Sequence, residues 1–368
     1  MSIEPGETRF LRHPLVDELT EAATGAASDD PRPFLDCLRR HALPQRFVAA
    51  TEEGGFAYRA PWRDVLGFLS AIGGADLSTA RLFEGHLNAL QLVALYGTAE
   101  QQDATLRRVL EGAFLGVWGA DGAEPARIAR SDDGRARLTG TKRYASGVGV
   151  LDLAVVPVRD EAGAQQLLLL SADDPARVDI STWNHRGMRR TLSGSYDLGG
   201  LCVEEAHRLG RPGVYAREPY FVGGIWRCAA AQLGALEAIV AHVARGLHAS
   251  GRDAHPIQTA RIGTAILKGR TARLWVEDAA ARIETMPEGS APEDVSRAVA
   301  LSAFARLAVE TAAMEIIDLA ERALGLGSFA AGHPVEALTR DLSVYIRQAN
   351  PDAVLAEHGR VLARDLVP

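Results

Sequence analysis

The spacing of the apolar residues changes twice along this chain, and that order restricts the folds it can adopt. In the segment HLNALQLVALYG, Leu87, Leu90 and Leu95 recur at helical spacing, and the region before about residue 115 favours helix throughout. After Gly116 the pattern changes to short apolar runs bounded by turn residues, and later the helical period returns. We therefore expect helices, a β domain and helices again, without the alternating strand–helix units of a parallel sheet.

Three apolar runs in the middle of the chain are predicted strands. They are LDLAVVPV (151–158), QQLLLLSA (165–172) and GGLCVEEA (199–206). The predicted fold class is α+β, and its three parts are an N-terminal helical domain (1–115), a barrel-like antiparallel β domain (116–210) and a C-terminal four-helix bundle (211–368).

The C-terminal region is predicted to be helical again. One apolar stripe runs through 233–247, and two further long helices are expected at about 257–283 and 292–324. The last helix, in RDLSVYIRQANPDAV, should break at Asn350-Pro351 because proline removes a backbone donor. Near the N-terminus, the pair Gly73-Gly74 is predicted to form a turn.

Composition and charge exclude several classes of partner. The chain has 368 residues and a formal net charge of -7, with a sequence pI near 5.8, which argues against a broad nucleic-acid interface and favours small-molecule partners. No apolar run reaches membrane-spanning length, and the N-terminus lacks a signal-peptide pattern. The three cysteines, Cys37, Cys202 and Cys228, are widely separated, so a cytoplasmic protein without a disulfide framework is expected.

Several common catalytic patterns are missing from the sequence. It has no Gly-x-Ser-x-Gly elbow, no His-Glu-x-x-His zinc motif and no phosphate-binding loop of the Walker type. Gly147-Val148-Gly149 is interpreted as a loop after a strand rather than as a dinucleotide-binding turn. The histidines lack metal-ligand spacing, so no metal is expected, and His86 on an apolar helix is interpreted as a core or pocket-wall residue.

Four stretches occur in the order found in one known family. They are YGTAEQ (96–101), LTGTKRYASG (138–147), GMRRTLSGSYDLGGLCV (187–203) and GLGSFAAGHPVEALTRD (325–341). Together they resemble the acyl-CoA dehydrogenase superfamily of flavoproteins over about residues 82–341. The helix–sheet–helix order of that family agrees with the order predicted from the apolar spacing.

The resemblance implies a flavin site built on the second stretch. Tyr144 lies where the family has a tryptophan that stacks on the flavin ring, and Ser146 lies where it has a threonine that hydrogen-bonds the ring. The family's Val-Thr-Glu-Pro segment, whose backbone also contacts the flavin, corresponds here to Trp118, Gly119, Ala120 and Asp121. The threonine is absent, so only backbone contacts carry over, and Trp118 is interpreted either as pocket wall or as core.

The resemblance also implies FAD and more than one subunit. Gly325 and Gly327 match a glycine turn that contacts the FAD of a neighbouring subunit in the family, and Arg252 lies near the position of an FAD-binding arginine. Because Phe-Gly is missing after that arginine, the choice between FAD and FMN stays open. A homodimer or homotetramer is expected.

The family's catalytic base is missing. Acyl-CoA dehydrogenases need a carboxylate that removes a proton next to the thioester carbonyl, and aligning on Arg340-Asp341 places Ala349 at that position. An alternative base position, in GGIWR (223–227), also lacks an acid, and the nearest upstream carboxylate is Glu218. The remaining candidate catalytic side chains are Arg347, Gln348 and His86.

Three functions are compatible with these residues. We favour an FAD-dependent oxidoreductase that oxidises an acyl-CoA or a related acyl thioester with non-standard base chemistry. The reason is that Glu84 to His86 and YGTAEQ retain the N-terminal half of the acyl pocket found in the family. The alternative is a flavin-dependent monooxygenase, similar to the superfamily branch that includes dibenzothiophene monooxygenases, which uses oxygen and reduced flavin from a reductase. The third is a non-catalytic flavin-binding member.

Overall fold

The computed structural model describes residues 10, 13–25, 28–130, 133–347 and 349–366. Within these residues the chain forms helices, then β-sheets, then helices, as predicted. The helices before the main sheet are α1 (Pro14–Gly25), α2 (Arg32–Arg40), α3 (Trp62–Ala75), α4 (Leu77–Tyr96) and α5 (Ala99–Leu110). The helices after it are α6 (Trp226–Ala249), α7 (Pro256–Glu284), α8 (Pro292–Leu324), α9 (Pro334–Tyr345) and α10 (Pro351–Ala363).

The YGTAEQ stretch joins α4 to α5 by capping interactions. α4 ends at Tyr96, and the backbone N–H of Gly97 donates to the Val93 carbonyl. The Thr98 hydroxyl accepts from the Gln101 backbone N–H at 3.3 Å, and the Gln101 side chain accepts from the Thr98 N–H at 2.8 Å. This reciprocal capping box satisfies two donors at the start of α5 and so fixes where that helix begins.

In the part of the chain that the structure describes, the strands form three sheets. They are β1 (Val48–Ala50), β2 (Phe56–Tyr58), β3 (Leu115–Val117), β4 (Arg127–Arg130), β5 (Ala136–Thr139), β6 (Thr141–Ala145), β7 (Leu153–Arg159), β8 (Gln165–Ser171), β9 (Val178–Asp179), β10 (Gly194–Asp197) and β11 (Arg208–Leu209). β1 and β2 form a hairpin, one sheet has the order β6-β10-β9, and the largest has the order β11-β8-β7-β4-β5 with β3 also on β7. Pairing is mainly antiparallel, as predicted, but β3 and β4 each run parallel to β7.

Two of the predicted strands are confirmed as β7 and β8, and the third is wrong. Within 199–206 only Cys202 makes an isolated bridge, to Arg137, and a 3-10 turn follows at Glu205–His207. The strand ends earlier, at Asp197, because the Asp197 carboxylate accepts from the Gly199 N–H at 2.8 Å and Gly200 adopts φ 77°. This side-chain turn competes with sheet hydrogen bonding.

The C-terminal bundle follows the predicted helices closely. α7 and α8 both begin with proline at a first-turn position, where its missing N–H costs nothing, and they span the two predicted ranges. α6 packs on α7, α8 and α9, and α10 packs on α8. The last helix is broken where predicted, since Asn350 has φ 50° and Pro351 begins α10.

Helices from both ends of the chain share one hydrophobic core. Leu69 and Ile72 of α3 and Leu233 and Leu236 of α6 are fully buried members of the same cluster. The boundaries of the three domains, 1–115, 116–210 and 211–368, stay a prediction. Among the described residues, no helix combines the length and apolarity needed to cross a bilayer.

Gly73 and Gly74 do not form the predicted turn but lie in the last part of α3. A Cβ at Gly73 would lie 2.2 Å from the Ala231 carbonyl oxygen, and a Cβ at Gly234 would lie 1.8 Å from the Ser70 carbonyl oxygen. Neither distance is compatible with a side chain. These glycines are therefore needed for the close approach of α3 and α6 and do not mark a helix end.

Candidate functional site

An aromatic surface forms where β6 ends. Tyr144 is 50% exposed, and its ring centroid lies 6.3 Å from that of Trp183 and 6.4 Å from that of His185. Trp183 and His185 stack with centroids 4.0 Å apart. We call Tyr144, Trp183 and His185 the aromatic wall. Tyr144 has φ 51°, a left-handed conformation that costs a non-glycine residue about 1 kcal/mol or more, so its ring is presented at the expense of backbone strain.

A chain of hydroxyl groups begins two residues after Tyr144. The Ser146 and Ser193 hydroxyl oxygens are 2.9 Å apart, and those of Ser193 and Thr191 are 2.7 Å apart. The Thr191 hydroxyl donates to the Met188 carbonyl oxygen at 2.7 Å, and the Trp183 indole N–H donates to the same carbonyl at 3.0 Å. We call Ser146, Ser193 and Thr191 the hydroxyl chain. It joins the end of β6 to the loop that carries the wall.

The loop behind the wall is held by two helices. The Met188 N–H donates to Asp341 Oδ1 on α9 at 2.9 Å, and a Cβ at Gly187 would lie 2.4 Å from the Arg340 carbonyl oxygen. Arg190 forms a buried ion pair with Asp76, the N-cap residue of α4. Burial raises the pKa of Asp341, while its hydrogen bond from Met188 acts in the opposite direction. The aromatic wall is therefore braced by α4 and α9 together.

The segment from Trp118 to Asp121 lies beside β6. The Ala120 carbonyl accepts from the Arg143 N–H at 3.0 Å, and Asp121 pairs with the buried Lys142 ammonium at 2.6 Å. Burial lowers the pKa of Lys142, although Asp121 opposes that effect. Trp118 is 1% exposed, and its indole N–H donates to the Ser146 carbonyl at 3.0 Å. Trp118 is thus core rather than pocket wall.

A polar cluster adjoins this segment. The Tyr215 hydroxyl lies 3.2 Å from the position that a Cβ on Gly119 would take. Burial raises the pKa of Tyr215 to about 12, and the charges of Arg81 and Glu84 also act on it. Glu84 pairs with Arg81 at 2.5 Å and accepts from Asn88. We call Arg81, Glu84, Asn88 and Tyr215 the polar cluster.

Another group of ligand-type side chains lies away from β6. Glu18, Cys37 and His41 bring one potential metal-binding atom each within 4.8 Å of one another. Hydrogen bonds from Arg40 and His41 lower the pKa of Glu18 to about 2, so its carboxylate is already engaged. Burial raises the pKa of Cys37 to about 12, which opposes the thiolate that a metal would need. We interpret the group as an ion-pair network.

Comparisons with curated sequences give partial matches. A dibenzothiophene monooxygenase from Rhodococcus erythropolis is 28% identical over 178 residues, which is 45% of this chain and 42% of the relative. A dibenzothiophene monooxygenase from Mycolicibacterium goodii is 28% identical over 165 residues. The chain spans less than half the length of these curated relatives. No family model matches the chain.

Solved structures match over nearly the whole length. TdsC from Paenibacillus sp. A11-2, in complex with FMN and indole, has a TM-score of 0.85 at 20% identity and covers 98% of this chain and 97% of its own. Butyryl-CoA dehydrogenase from Megasphaera elsdenii has a TM-score of 0.79 at 16% identity, with 99% coverage of both chains. The chain has the acyl-CoA dehydrogenase fold. KijD3, in complex with FMN and a dTDP-linked amino sugar, has the same fold at a TM-score of 0.82 and 20% identity, covering 100% of this chain and 95% of its own.

Within the acyl-CoA dehydrogenase fold, only some of the predicted site residues come together. Tyr144, Ser146 and the segment 118–121 lie side by side. Arg252, Gly325 and Gly327 instead lie at ends of bundle helices, where Arg252 donates to the Ser250 hydroxyl at 3.0 Å and Gly325, at φ 65°, caps α8. Their role toward a cofactor stays a prediction.

His86 is wrong as a catalytic candidate. Its side chain is fully buried, its Nε2 is 2.8 Å from the Pro44 carbonyl oxygen, and its Nδ1 accepts from the Leu115 N–H at 3.1 Å. Burial lowers its pKa to about 4. Both ring nitrogens are therefore occupied in a neutral imidazole, which confirms the interpretation of a core histidine.

The junction between α9 and α10 provides no carboxylate. Ala349 is exposed, and its carbonyl accepts from Arg306 at 3.3 Å. Arg347 is also exposed and pairs with Glu310 at 3.0 Å, while Gln348 lies outside the described residues. Glu218, the nearest acid before α6, accepts hydrogen bonds from the backbone N–H groups of Val222 and Gly223. None of these arrangements replaces the missing base.

Sequence reasoning missed several residues around the predicted site. Trp183 and His185 lie in an irregular segment and Tyr215 lies in a three-residue 3-10 helix, so no period could assign these side chains to a face. Thr191 and Ser193 were inside the third family-like stretch, and their alternate spacing just before β10 was a usable signal for a shared face.

Proposed function

We propose that this chain is a flavin-dependent monooxygenase that receives reduced flavin from a separate reductase. The observation that carries the proposal is the exposed Ala349 at the junction between α9 and α10, in a stretch with no carboxylate between Asp341 and Asp352. Removal of a proton next to a thioester requires such a base, whereas oxygen insertion with reduced flavin does not. The partial similarity to dibenzothiophene monooxygenases supports this choice over acyl thioester oxidation.

The residues at the end of β6 fit a flavin ring. A flat ring needs an apolar face and polar groups along its edge, and Tyr144 and the hydroxyl chain offer these within two residues of each other. His185 Nδ1 is buried with no hydrogen-bond partner among the described residues, which leaves a polar atom of the wall to be satisfied. We expect FMN to bind more tightly than FAD, because the FMN complexes of TdsC and KijD3 share this fold.

The chain's own residues would bind the flavin, orient it and shield it from solvent. When bound, a reduced flavin supplies two electrons that activate molecular oxygen, so that one oxygen atom enters the substrate and the other leaves as water. Tyr144 holds the ring plane, Ser146 fixes its polar edge, and the loop braced by Asp341 keeps the wall in place.

The acceptor substrate is proposed to carry a polar group. The Tyr215 hydroxyl lies next to Gly119, and the charges of the Arg81–Glu84 ion pair act on that hydroxyl, so these surroundings are polar rather than suited to a plain alkyl chain. Indole and a dTDP-linked amino sugar, the ligands of TdsC and KijD3, are therefore the first two acceptors to test. Dibenzothiophene, which lacks a hydrogen-bond donor, is the apolar comparison.

We further propose that two or more copies of the chain assemble through the outer face of α7. Leu267 is 65% exposed and Leu274 is 51% exposed, seven residues apart on one side of that helix. Exposed large apolar residues in such a stripe favour contact with another surface. A second copy is the occupant expected from the resemblance in sequence.

The deciding experiment supplies FMN, NADH and a flavin reductase in air, adds each acceptor, and measures oxygen uptake and product mass. Product heavier by one oxygen atom, lost in Tyr144→Ala, supports monooxygenation. In parallel, the FMN- or FAD-loaded protein is titrated anaerobically with a panel of acyl-CoAs. Bleaching of the flavin there, without product oxygenation, would overturn the proposal in favour of acyl thioester oxidation. No flavin binding at all would contradict the proposal and both alternatives, because each of the three requires a bound flavin.

A further inference from the structure

Two charged side chains on α8 are buried with unused hydrogen-bonding atoms. Arg306 and Glu310 are each 6% exposed and lie one helical turn apart on the same face. Arg306 Nη1 donates to the Ala349 carbonyl at 3.3 Å. Glu310 Oε1 accepts from Arg347 at 3.0 Å. Arg306 Nε, Arg306 Nη2 and Glu310 Oε2 have no hydrogen-bond partner among the described residues, although buried polar atoms are normally satisfied.

The three unused atoms define the chemical group that fits them. Nε and Nη2 form one edge of the Arg306 guanidinium, and Nη2 lies 3.9 Å from Glu310 Oε2, too far for a direct hydrogen bond. A ligand oxygen between them has to accept from two N–H groups and donate one proton to a carboxylate. A hydroxyl group has two lone pairs and one proton, so it satisfies all three atoms. A ligand carboxylate or carbonyl would leave Glu310 Oε2 unpaired, and an ammonium group offers Arg306 no acceptor.

The pair lies close to the surface and close to the polar cluster. Its two hydrogen-bond partners, Arg347 and Ala349, are exposed. Burial raises the pKa of the Cys228 thiol on α6 to about 12, and the charges of Glu84 in the polar cluster and of Arg306 also act on that thiol. Both groups therefore lie near the same part of the interior, where α6 packs on α4 and on α8.

We propose that Arg306 and Glu310 bind a hydroxyl group of a small-molecule ligand. Arg306 donates to the hydroxyl oxygen through Nε and Nη2, and the hydroxyl donates its proton to Glu310 Oε2. That this ligand is the acceptor substrate rests on the proposed function. The site then selects an acceptor with an alcohol or phenol group over its deoxy analogue, which would leave both charged groups unpaired. A hydrogen bond to a charged group corresponds to roughly ten- to a hundredfold in affinity.

The test measures the binding of indole, its ring-hydroxylated derivatives and the matching indole carboxylates to the FMN-loaded chain. Isothermal titration calorimetry without a reductase gives each Kd independently of turnover. In the native chain at least one hydroxyindole should bind roughly ten- to a hundredfold more tightly than indole. The carboxylate at the same ring position should not, because its charge would lie next to Glu310.

Substitution of Glu310 should invert this preference. In Glu310→Gln the side-chain oxygen is needed by Arg347, so the amide nitrogen replaces Oε2 and three donors surround the ligand oxygen. The hydroxyindole should then lose about tenfold in affinity and the carboxylate should gain about tenfold. Arg306→Lys keeps the charge without the Nε–Nη2 edge and should also weaken hydroxyindole binding. Glu315→Gln is the matched control on the same helix, because it removes only the ion pair with Lys268 at 2.8 Å and should leave both affinities unchanged.

The outcomes separate this inference from the proposed function. If no hydroxyindole binds more tightly than indole, or if the preference is unchanged in Glu310→Gln, the inference is overturned and a bound water is the occupant. Oxygenation of an acceptor in the reductase assay would still stand in that case. A hydroxyl preference that responds to both variants supports the site even if no product gains oxygen.

Discussion

The backbone N–H of Met188 and the carboxylate of Asp341, 153 residues apart in sequence, are joined by a hydrogen bond of 2.9 Å. Asp341 belongs to the Arg-Asp pair that the family resemblance picked out on α9. Its contact is with the loop behind the aromatic wall, and Arg340 contributes its carbonyl to the same close approach. Arg340 and Asp341 therefore hold the loop that supports the aromatic wall.

Asp341→Ala should loosen this loop. The Met188 N–H would lose its acceptor in a buried position, at a cost of about 1–3 kcal/mol in the free energy of unfolding. Flavin affinity should fall as well, because the wall depends on the same loop. Asp341→Asn keeps an acceptor oxygen and should remain close to the native chain in both urea unfolding and flavin titration. Equal losses in both variants would show that charge, rather than the hydrogen bond, matters.

Substitution of Tyr144 should weaken flavin binding with little effect on the free energy of unfolding. Tyr144→Gly removes the stacking ring and should weaken flavin binding by about tenfold. The unfolding free energy without flavin should change by less than about 1 kcal/mol, because relief of the left-handed backbone offsets the lost contacts. Tyr144→Phe retains the ring and is the control. If the Gly and Phe variants bind flavin alike in a fluorescence titration, the stacking assignment is wrong.

Ala349→Glu tests the missing base directly. We expect no acyl-CoA-dependent bleaching of the bound flavin, since residue 349 is exposed and its backbone is held by Arg306. The measurement is an anaerobic absorbance titration with acyl-CoAs of several chain lengths, and Ala353→Glu on α10 controls for an added acid nearby. Bleaching by Ala349→Glu alone would show that the site accepts an acyl thioester and lacks only the base, which would contradict the proposed substrate class.

His86 should make stability depend on pH. Its pKa is about 4 in the folded chain against an ordinary value of 6.5. Between these values the unfolded chain binds more protons, so stability is full above about pH 6.5 and falls as the pH is lowered. From about pH 7.5 to about pH 5 the loss should be roughly 2 kcal/mol. Urea unfolding of His86→Gln, which cannot titrate, should lack this component; parallel curves for both proteins would contradict it.

The outer face of α7 predicts the assembly state. Leu267→Glu together with Leu274→Glu should lower the mass measured by light scattering after gel filtration, because charges would be buried in the contact between copies. Thr20→Glu on α1 adds charge elsewhere and should not change the mass. An unchanged mass in the double variant would place the contact on another surface.

The sequence was most informative where local chemistry decides structure. α7 and α8 begin with first-turn prolines, a local signal for a helix start, and their limits were predicted closely. The helical location of Gly73 and Gly74 was not predicted, because the contact that requires glycine there is made with α6, about 160 residues away in the chain. Tyr144 and Ser146 were found only through family resemblance. Trp183 and His185 lie in an irregular loop, and the Met188–Asp341 hydrogen bond joins that loop to a distant helix, so no periodicity in the sequence could predict them.

The bracing of one loop by both helical regions also limits how the site could be transplanted. A fragment with the β domain alone would contain every residue of the aromatic wall and the hydroxyl chain, yet it would lack Asp76 and Asp341. In such a fragment the side chains of the aromatic wall should be more mobile, even if the sheets form. The site is thus a property of the complete helical frame, and grafting its residues onto another β scaffold would require two substitute anchors.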